Sequence, residues 1–209
     1  MKSADPPAPA PAPGTRRRGE SLVRAIHLAA LRELAETSLE ELSFDKIAAR
    51  AGTGKAVLYR RWKTPAELVL DALTDPDAGF GAPLEPNTGS LRADLIAVLR
   101  DYARALDEPR GRALRPLMTQ RPRHPELYAE VYRLIMRPRL EAALGILRAA
   151  AERGEVAQEA VTERVASVGT GMIVMQHMTQ GAIPDAEIEA VVDEILLPLV
   201  TAPRGCTVS

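Results

Sequence analysis

Residues 43–68 constrain this chain more than any other stretch, because their apolar and glycine positions permit little besides two short helices joined by a tight turn. Phe44, Ile47, Ala48 and Ala51 recur at i, i+3, i+4 and i+7, one apolar stripe on a helix that Ser43 can cap by accepting an orphan backbone N–H. Gly52 follows the last periodic residue, where a left-handed C-cap costs glycine little. The Gly52-Thr53-Gly54 turn then folds a second helix, expected from Lys55 to Trp62, across the first. Ala56, Leu58 and Trp62 are expected to pack inward while Lys55, Tyr59, Arg60 and Arg61 face out. A cationic face on the second helix of a helix-turn-helix suits insertion into a DNA major groove.

This stretch resembles the amino-terminal domain of the TetR family of transcriptional regulators. The family pattern of a helix reading Ile-Ala-Ala-Arg-Ala-Gly, a turn, a Lys, a Leu-Tyr pair and a closing aromatic is met by Ile47 to Gly52, Lys55, Leu58, Tyr59 and Trp62, and the likeness runs from Arg17 to Leu70. Three positions depart from it. Gly54 and Val57 stand where hydroxyl residues are usual, and Lys63 where Pro often follows the aromatic; Thr53, one place early, is a candidate cap for the second helix. The resemblance implies an all-α protein: a three-helix DNA-binding domain over 15–63, then a linking helix and a helical ligand-binding and dimerisation domain over 64–202. It implies DNA contacts by Ser43, Thr53, Gly54, Lys55, Val57, Tyr59, Arg60, Arg61 and Thr64.

Charge distribution agrees with a nucleic-acid partner. Overall net charge is only −1, yet residues 15–68 hold eight Arg and three Lys against seven acids, a net of +4 that leaves −5 elsewhere. Arg16, Arg17 and Arg18 precede a helical pattern on Leu22, Ile26, Ala29, Ala30 and Leu34. They read either as a solvated charge run or, beside a helix-turn-helix, as an arm on the phosphates or the minor groove. Residues 1–14 alternate Ala and Pro and lack the apolar stretch of a signal peptide, so a disordered tail is expected there, and a second short tail at 203–209. The single cysteine, Cys206, excludes a disulfide framework, and no run is long and apolar enough for a membrane span. A cytoplasmic protein is expected.

Beyond Thr64-Pro65, which with Glu67 forms a capping box opening a fourth helix, a Gly/Pro-rich loop runs from Thr74 to Gly89. Helical periodicity then resumes: from Ser90 through Leu91, Leu95, Tyr102 and Leu106, near 110–120, and from Pro125 to Gly154 with Pro138 predicted to kink it. In the last two helices Val161, Val165, Val168, Met172 and Met175, and Ile188, Val192, Ile195 and Leu199, repeat at helical spacing, with further apolar residues widening each stripe. Gly169 and Gly171 would admit a closely packed helix. Intramolecular core explains such stripes; the resemblance favours a two-fold four-helix interface in a homodimer.

The resemblance also implies a ligand cavity among the middle helices, lined by Leu99, Tyr102, Met118, Tyr128, Tyr132, Met136, Met172, Gln176 and His177, a mostly apolar set with a few polar tips. Catalysis is not expected. His27, His124 and His177 share no metal-ligand spacing, Gly54-Lys55 lacks the remaining residues of a phosphate-binding loop, and there is no Gly-x-Ser-x-Gly elbow. No metal and no cofactor are expected. The reading is a dimeric regulator, most simply a repressor, that leaves a pseudo-palindromic DNA operator when a small hydrophobic molecule binds. A regulator answering a protein partner or no signal is the alternative, and a helical enzyme a third possibility.

Overall fold

Helices account for all regular structure in the computed structural model, which describes residues 13–119 and 121–201, with side chains from residue 19 onward. α1 spans Pro13–Glu36, α2 Phe44–Ala51, α3 Lys55–Tyr59 and α4 Pro65–Thr74. α5 (Leu91–Asp107) and α6 (Pro109–Thr119) follow, then α7 (Pro125–Val131), α8 (Arg137–Glu152), α9 (Glu163–Gln180), α10 (Asp185–Ala190) and α11 (Leu197–Thr201). Pro13 and Gly14, expected in the tail, lie in α1; residues 1–12 and the tail at 203–209 fall outside the described residues. Among the described residues no helix is long and apolar enough to cross a membrane.

Local sequence explains most boundaries. Ser43, Thr64, Ser90 and Thr162 each accept a backbone N–H three residues on, capping α2, α4, α5 and α9. The two long carboxy-terminal helices are continued through π-helical turns, Tyr132–Met136 between α7 and α8 and Val191–Leu196 between α10 and α11. Each turn ends just before a helix whose second residue is proline, Pro138 or Pro198. Proline has no N–H for the carbonyl four residues back and its ring crowds it, so the ladder widens by one residue: Arg137 N–H reaches the Tyr132 carbonyl, and Leu197 N–H the Val192 carbonyl. The kink expected at Pro138 is therefore a π turn, and Pro198 repeats it.

Three apolar clusters hold the helices together. The first joins the buried residues of α1–α4, among them Ile26, Leu31, Leu34, Ile47, Leu58 and Leu68, to Phe80, to Ala113, Leu114 and Leu117 of α6, and to Val131 and Ile135. The amino-terminal helices and the helices that follow them thus share one continuous core, with α1 lying along α6. The second cluster packs Ile96, Leu99 and Tyr102 of α5 against Ile173 of α9 and against Ile188, Val191, Val192 and Leu196. The third gathers Leu91, Ile146, Leu147, Val165 and Val200.

Candidate nucleic-acid interface and ligand cavity

The α2–turn–α3 geometry follows from its caps. The Ser43 hydroxyl oxygen accepts from Lys46 N–H at 3.3 Å, and Gly52 adopts φ +66°, the left-handed conformation that favours glycine. Gly54, in extended conformation, is the N-cap of α3 and supplies no side-chain bond, so Thr53 does not cap that helix. Helix α3 ends at Tyr59 rather than Trp62. Leu58 and Trp62 are buried, but Ala56 faces solvent and Val57 packs on the core instead, reversing the expected orientation of these two. Val57, half-buried, therefore contributes chiefly to packing.

Lys55, Tyr59, Arg60 and Arg61 are all exposed, as the apolar spacing requires. The Tyr59 ring stands edge-on to Phe44 at 4.8 Å, and the side chain remains largely exposed. Lys55 Nζ pairs with Asp45 Oδ1 at 3.1 Å; this bond holds its ammonium above the usual lysine value, and both partners are exposed enough for a phosphate to replace the carboxylate. Arg60 and Arg61 make no ion pair among the described residues. Thr64 is occupied in capping Glu67 N–H at 3.1 Å, while the Glu67 carboxylate reaches back to Lys63 N–H at 2.8 Å. Arg16, Arg17 and Arg18 lie in the first turns of α1, their side chains outside the described residues.

Ionisable side chains buried beneath this surface tie it down. Glu33 of α1, 6% exposed, accepts from Arg50 Nε at 2.9 Å, and the Arg50 fork grips Glu36, fastening α2 to α1. His27, 3% exposed, sets Nε2 against Asp71 Oδ2 and Nδ1 against Asp75 Oδ2, each at 3.1 Å, which fastens α1 to α4 and the residue after it. Such partners come from different helices, so no periodicity reveals them.

The linker after α4 is clamped from both sides. Phe80 N–H donates to the Leu73 carbonyl at 2.7 Å. The Arg110 guanidinium sits 5.6 Å and the Arg139 guanidinium 4.9 Å from the centre of the Phe80 ring. Arg110 donates to the Gly79 carbonyl at 2.7 Å, and Arg139 to the Phe80 carbonyl at 2.7 Å and that of Gly81 at 3.4 Å. A Cβ on Gly79 would lie 2.2 Å from the Ala72 carbonyl oxygen, so only glycine lets the linker close against α4.

Two cavities flank Tyr102 and Met136. One, of about 210 Å³, is walled by Leu106, Leu114, Met118, Val174, Met178 and His177. His177 is buried; Arg115 donates to its Nδ1 and its Nε2 donates to Asp107 at 2.8 Å, so the ring is satisfied without a metal. The other, of about 380 Å³, is lined by Tyr132, Arg139, Leu140, Ala143, Ser167 and Thr170, with Glu163 and Arg164 also in its wall. Burial pushes the Tyr102 hydroxyl above its ordinary value.

Of the residues expected around a ligand, Tyr102, Met118, Tyr132, Met136 and His177 are brought together here. Four are not. Leu99 is packed against Gly169, Tyr128 stacks under Arg121 at 5.3 Å, Met172 covers the second apolar cluster, and Gln176 donates to Glu187. On α9 the cavity stripe is 167, 170, 174, 177 and 178, turned away from the face of Met172 and Gln176. Arg115 and Arg139 are cavity residues that sequence periodicity passed over because it follows apolar positions.

The candidate dimer stripe divides between the subunit's own core and its surface. Val165, Ile188 and Val192 are buried inside the subunit, and Val161, Val168 and Met172 pack on the same clusters. Gly169 admits a close neighbour, but that neighbour is Leu196 of the same chain, 2.9 Å from an added Cβ. From α9 onward, the large apolar side chains left exposed among the described residues are Met175 (63%), Ile195 (37%) and Leu199 (38%) of that stripe and, beyond it, Met178 (67%); Gly171 has open space where a Cβ would stand. Among the described residues no cluster of His, Cys, Asp and Glu is suited to a metal ion.

Comparison with known proteins accords with this geometry. Residues 26–72 match the profile of bacterial regulatory proteins of the tetR family, and residues 85–195 that of a tetracyclin repressor-like carboxy-terminal domain. The chain is 30% identical over 196 residues to an HTH-type transcriptional regulator of Mycobacterium tuberculosis, covering 93% of each. It is 33% identical over 187 residues to the DNA-binding transcriptional repressor TetR of Mycobacteroides abscessus, covering 88% of this chain and 96% of that one. The crystal structure of the TetR family transcription regulator SCO0332 superposes with a TM-score of 0.58 at 26% identity, covering 85% of this chain and 99% of that one. An exposed, cation-bearing α3 on a glycine turn, an all-helical body behind it and likeness along nearly the whole chain lead to one conclusion: this protein belongs to the TetR family of helix-turn-helix transcriptional regulators, and it is not an enzyme.

Proposed function

We propose that the chain is a dimeric repressor, cytoplasmic, that reads a pseudo-palindromic operator with 15–63 and releases it when a small, largely apolar molecule binds within 64–202. The observation that carries this reading is the clamped linker: Arg139 lines the larger cavity and also holds the carbonyls of Phe80 and Gly81, in the linker whose Phe80 N–H bonds back to Leu73 of α4. A ligand that prefers a rearranged cavity wall would move that clamp and, with it, α4 and the reading head; regulators couple two sites by roughly 1–3 kcal/mol in this way. The exposed Met175, Met178, Ile195 and Leu199 supply an apolar face on α9 and the last helix for a two-fold partner. Two subunits would then set their α3 helices about one DNA turn apart, roughly 34–36 Å.

Selection of a bound duplex from a random library by the full-length protein tests the reading. A two-fold symmetric site, released on titration with an apolar small molecule, is expected. Enrichment of no sequence removes the operator-reading role; a site that no small molecule loosens removes the ligand and leaves a regulator controlled otherwise.

A further inference from the structure

Arg139 stands out among the arginines of the sensor helices. Arg137, two residues earlier, pairs with Glu141 and Glu163; Arg92 pairs with Asp193 and Glu189, and Arg100 with Asp185 and Glu189. Arg139 is half-buried, makes no ion pair among the described residues, and is held only by the Phe80 ring and the backbone carbonyls of Ile135, Phe80 and Gly81. Burial, with the neighbouring Arg110 guanidinium, pulls it below the usual arginine value, and the more distant Asp101 carboxylate only partly offsets this. Its Nε–H donates to no described acceptor, so part of its donor fork is free.

The space beside that cation is graded in polarity. Tyr102, Ser167 and Thr170 line the chamber that Arg139 lines; the Ser167 and Thr170 hydroxyls donate back to their own helix, at 2.9 and 3.2 Å, and keep their acceptor capacity. Beyond Tyr102 and Met136, which belong to both walls, lies the smaller chamber of Leu106, Leu114, Met118, Val174 and Met178. A cation with no directly paired carboxylate at one end and an apolar recess at the other describe a ligand with the opposite arrangement. We infer that the effector is an amphipathic monocarboxylic acid, its carboxylate on Arg139 and its apolar body passing Tyr102 and Met136 into the recess. A planar guanidinium is suited to this because its open Nε–H can donate to one carboxylate oxygen while Nη2 takes the other by giving up the Gly81 carbonyl, held at only 3.4 Å, and such a paired contact gains most where water is scarce. Glu163, in the same wall, is paired with Arg137 at 2.9 Å, which offsets part of its repulsion, and Arg164 adds positive charge there.

This inference rests on the ligand-responsive reading, and its test separates the two. Decanoate and 4-phenylbutyrate, each with its matched primary alcohol, would be titrated into the full-length protein by calorimetry at neutral pH, with thermal unfolding in parallel. Each acid is expected to bind at least about tenfold more tightly than its alcohol. Arg139→Gln should bring acid and alcohol to within about twofold of each other, and Arg139→Lys, which keeps the charge but not the fork, should retain part of the preference. Should Arg139→Gln fail to fold, the Lys variant and the unsubstituted protein carry the comparison. Acid and alcohol binding equally, or a preference that survives Arg139→Gln, overturns the carboxylate assignment and leaves a ligand-responsive regulator standing. No binding by any of the four probes overturns the assignment as well, and a broader library that also fails to shift unfolding removes the ligand-responsive reading with it.

Discussion

The indole Nε1 of Trp62 donates to Asp71 Oδ2 at 2.8 Å, and that same oxygen receives His27 Nε2 at 3.1 Å. Trp62, just beyond the reading helix α3, is thereby tied to α4 and through it to α1, so the orientation of α3 depends on where α4 sits. Asp71→Ala removes both bonds from a half-exposed carboxylate. Stability should fall by about 1–2 kcal/mol in urea unfolding, less than for a buried charged hydrogen bond, and operator affinity should fall further than stability alone explains. Unchanged operator affinity in the folded variant would break the link drawn between α4 and α3.

On the reading surface, Arg60→Ala is expected to relax the operator at one base position at a cost of ~1–3 kcal/mol, whereas Arg61→Ala and Tyr59→Phe should weaken all sequences alike. Lys55→Ala frees Asp45 as it removes a cation, so its loss should be steepest at low salt. Operator titrations across salt concentrations distinguish these patterns, and four variants with unaltered affinity would rule out α3 as the reader.

Gly79→Ala tests the clamp on the linker. The added methyl would lie 2.2 Å from the Ala72 carbonyl oxygen, so either the linker or the last turn of α4 must shift. A loss of about 1–3 kcal/mol in thermal unfolding is expected, with emission from Trp62, the single tryptophan, altered as α4 moves. Phe80→Leu keeps apolar bulk but gives up two guanidinium–ring contacts, about 0.5–1 kcal/mol each, and should blunt the effector response more than it weakens effector binding.

For the subunit interface, Met175→Glu and Leu199→Glu should yield folded monomers by sedimentation, because both side chains are exposed in the single chain. Val192→Asp should instead unfold the subunit, burying a carboxylate without a partner at a 0% exposed site and costing roughly 4 kcal/mol. A folded, dimeric Leu199→Glu would place the interface elsewhere.

Acid stability should depend on Asp75. Its burial raises the carboxyl, but N–H donors from Ala78 at 2.7 Å and Asp77 at 3.0 Å, together with His27, outweigh burial and leave it below the ordinary carboxylate value. A depressed carboxyl contributes stability above its unfolded value, near about 3.9, and loses that contribution as pH falls through the folded value. Asp75→Asn should therefore be less stable than the unsubstituted protein at neutral pH, and the gap should close below about pH 4. A gap that persists at low pH would show that the charge of Asp75 is not what matters.

Local chemistry made the amino-terminal reader legible. A serine cap, an i, i+3, i+4 stripe and a glycine with φ +66° act within a few residues, and these determine that α2, the turn and α3 form and that Lys55, Tyr59, Arg60 and Arg61 face outward. Spacing did not tell Ala56 from Val57, since α3 is only five residues long and its roll is decided by what Leu58 and Trp62 pack against. In the sensor helices the stripes on α9 and the last helix were visible, but apolar residues at helical spacing look alike whether they meet the same chain or a second one. Only folding showed that Val192 is enclosed by α5 and α9 while Leu199 is left to solvent. The same holds for His27, Arg110 and Arg139: their partners lie dozens of residues away, and a charged side chain acquires its role from the carbonyls, rings and carboxylates that tertiary packing brings to it.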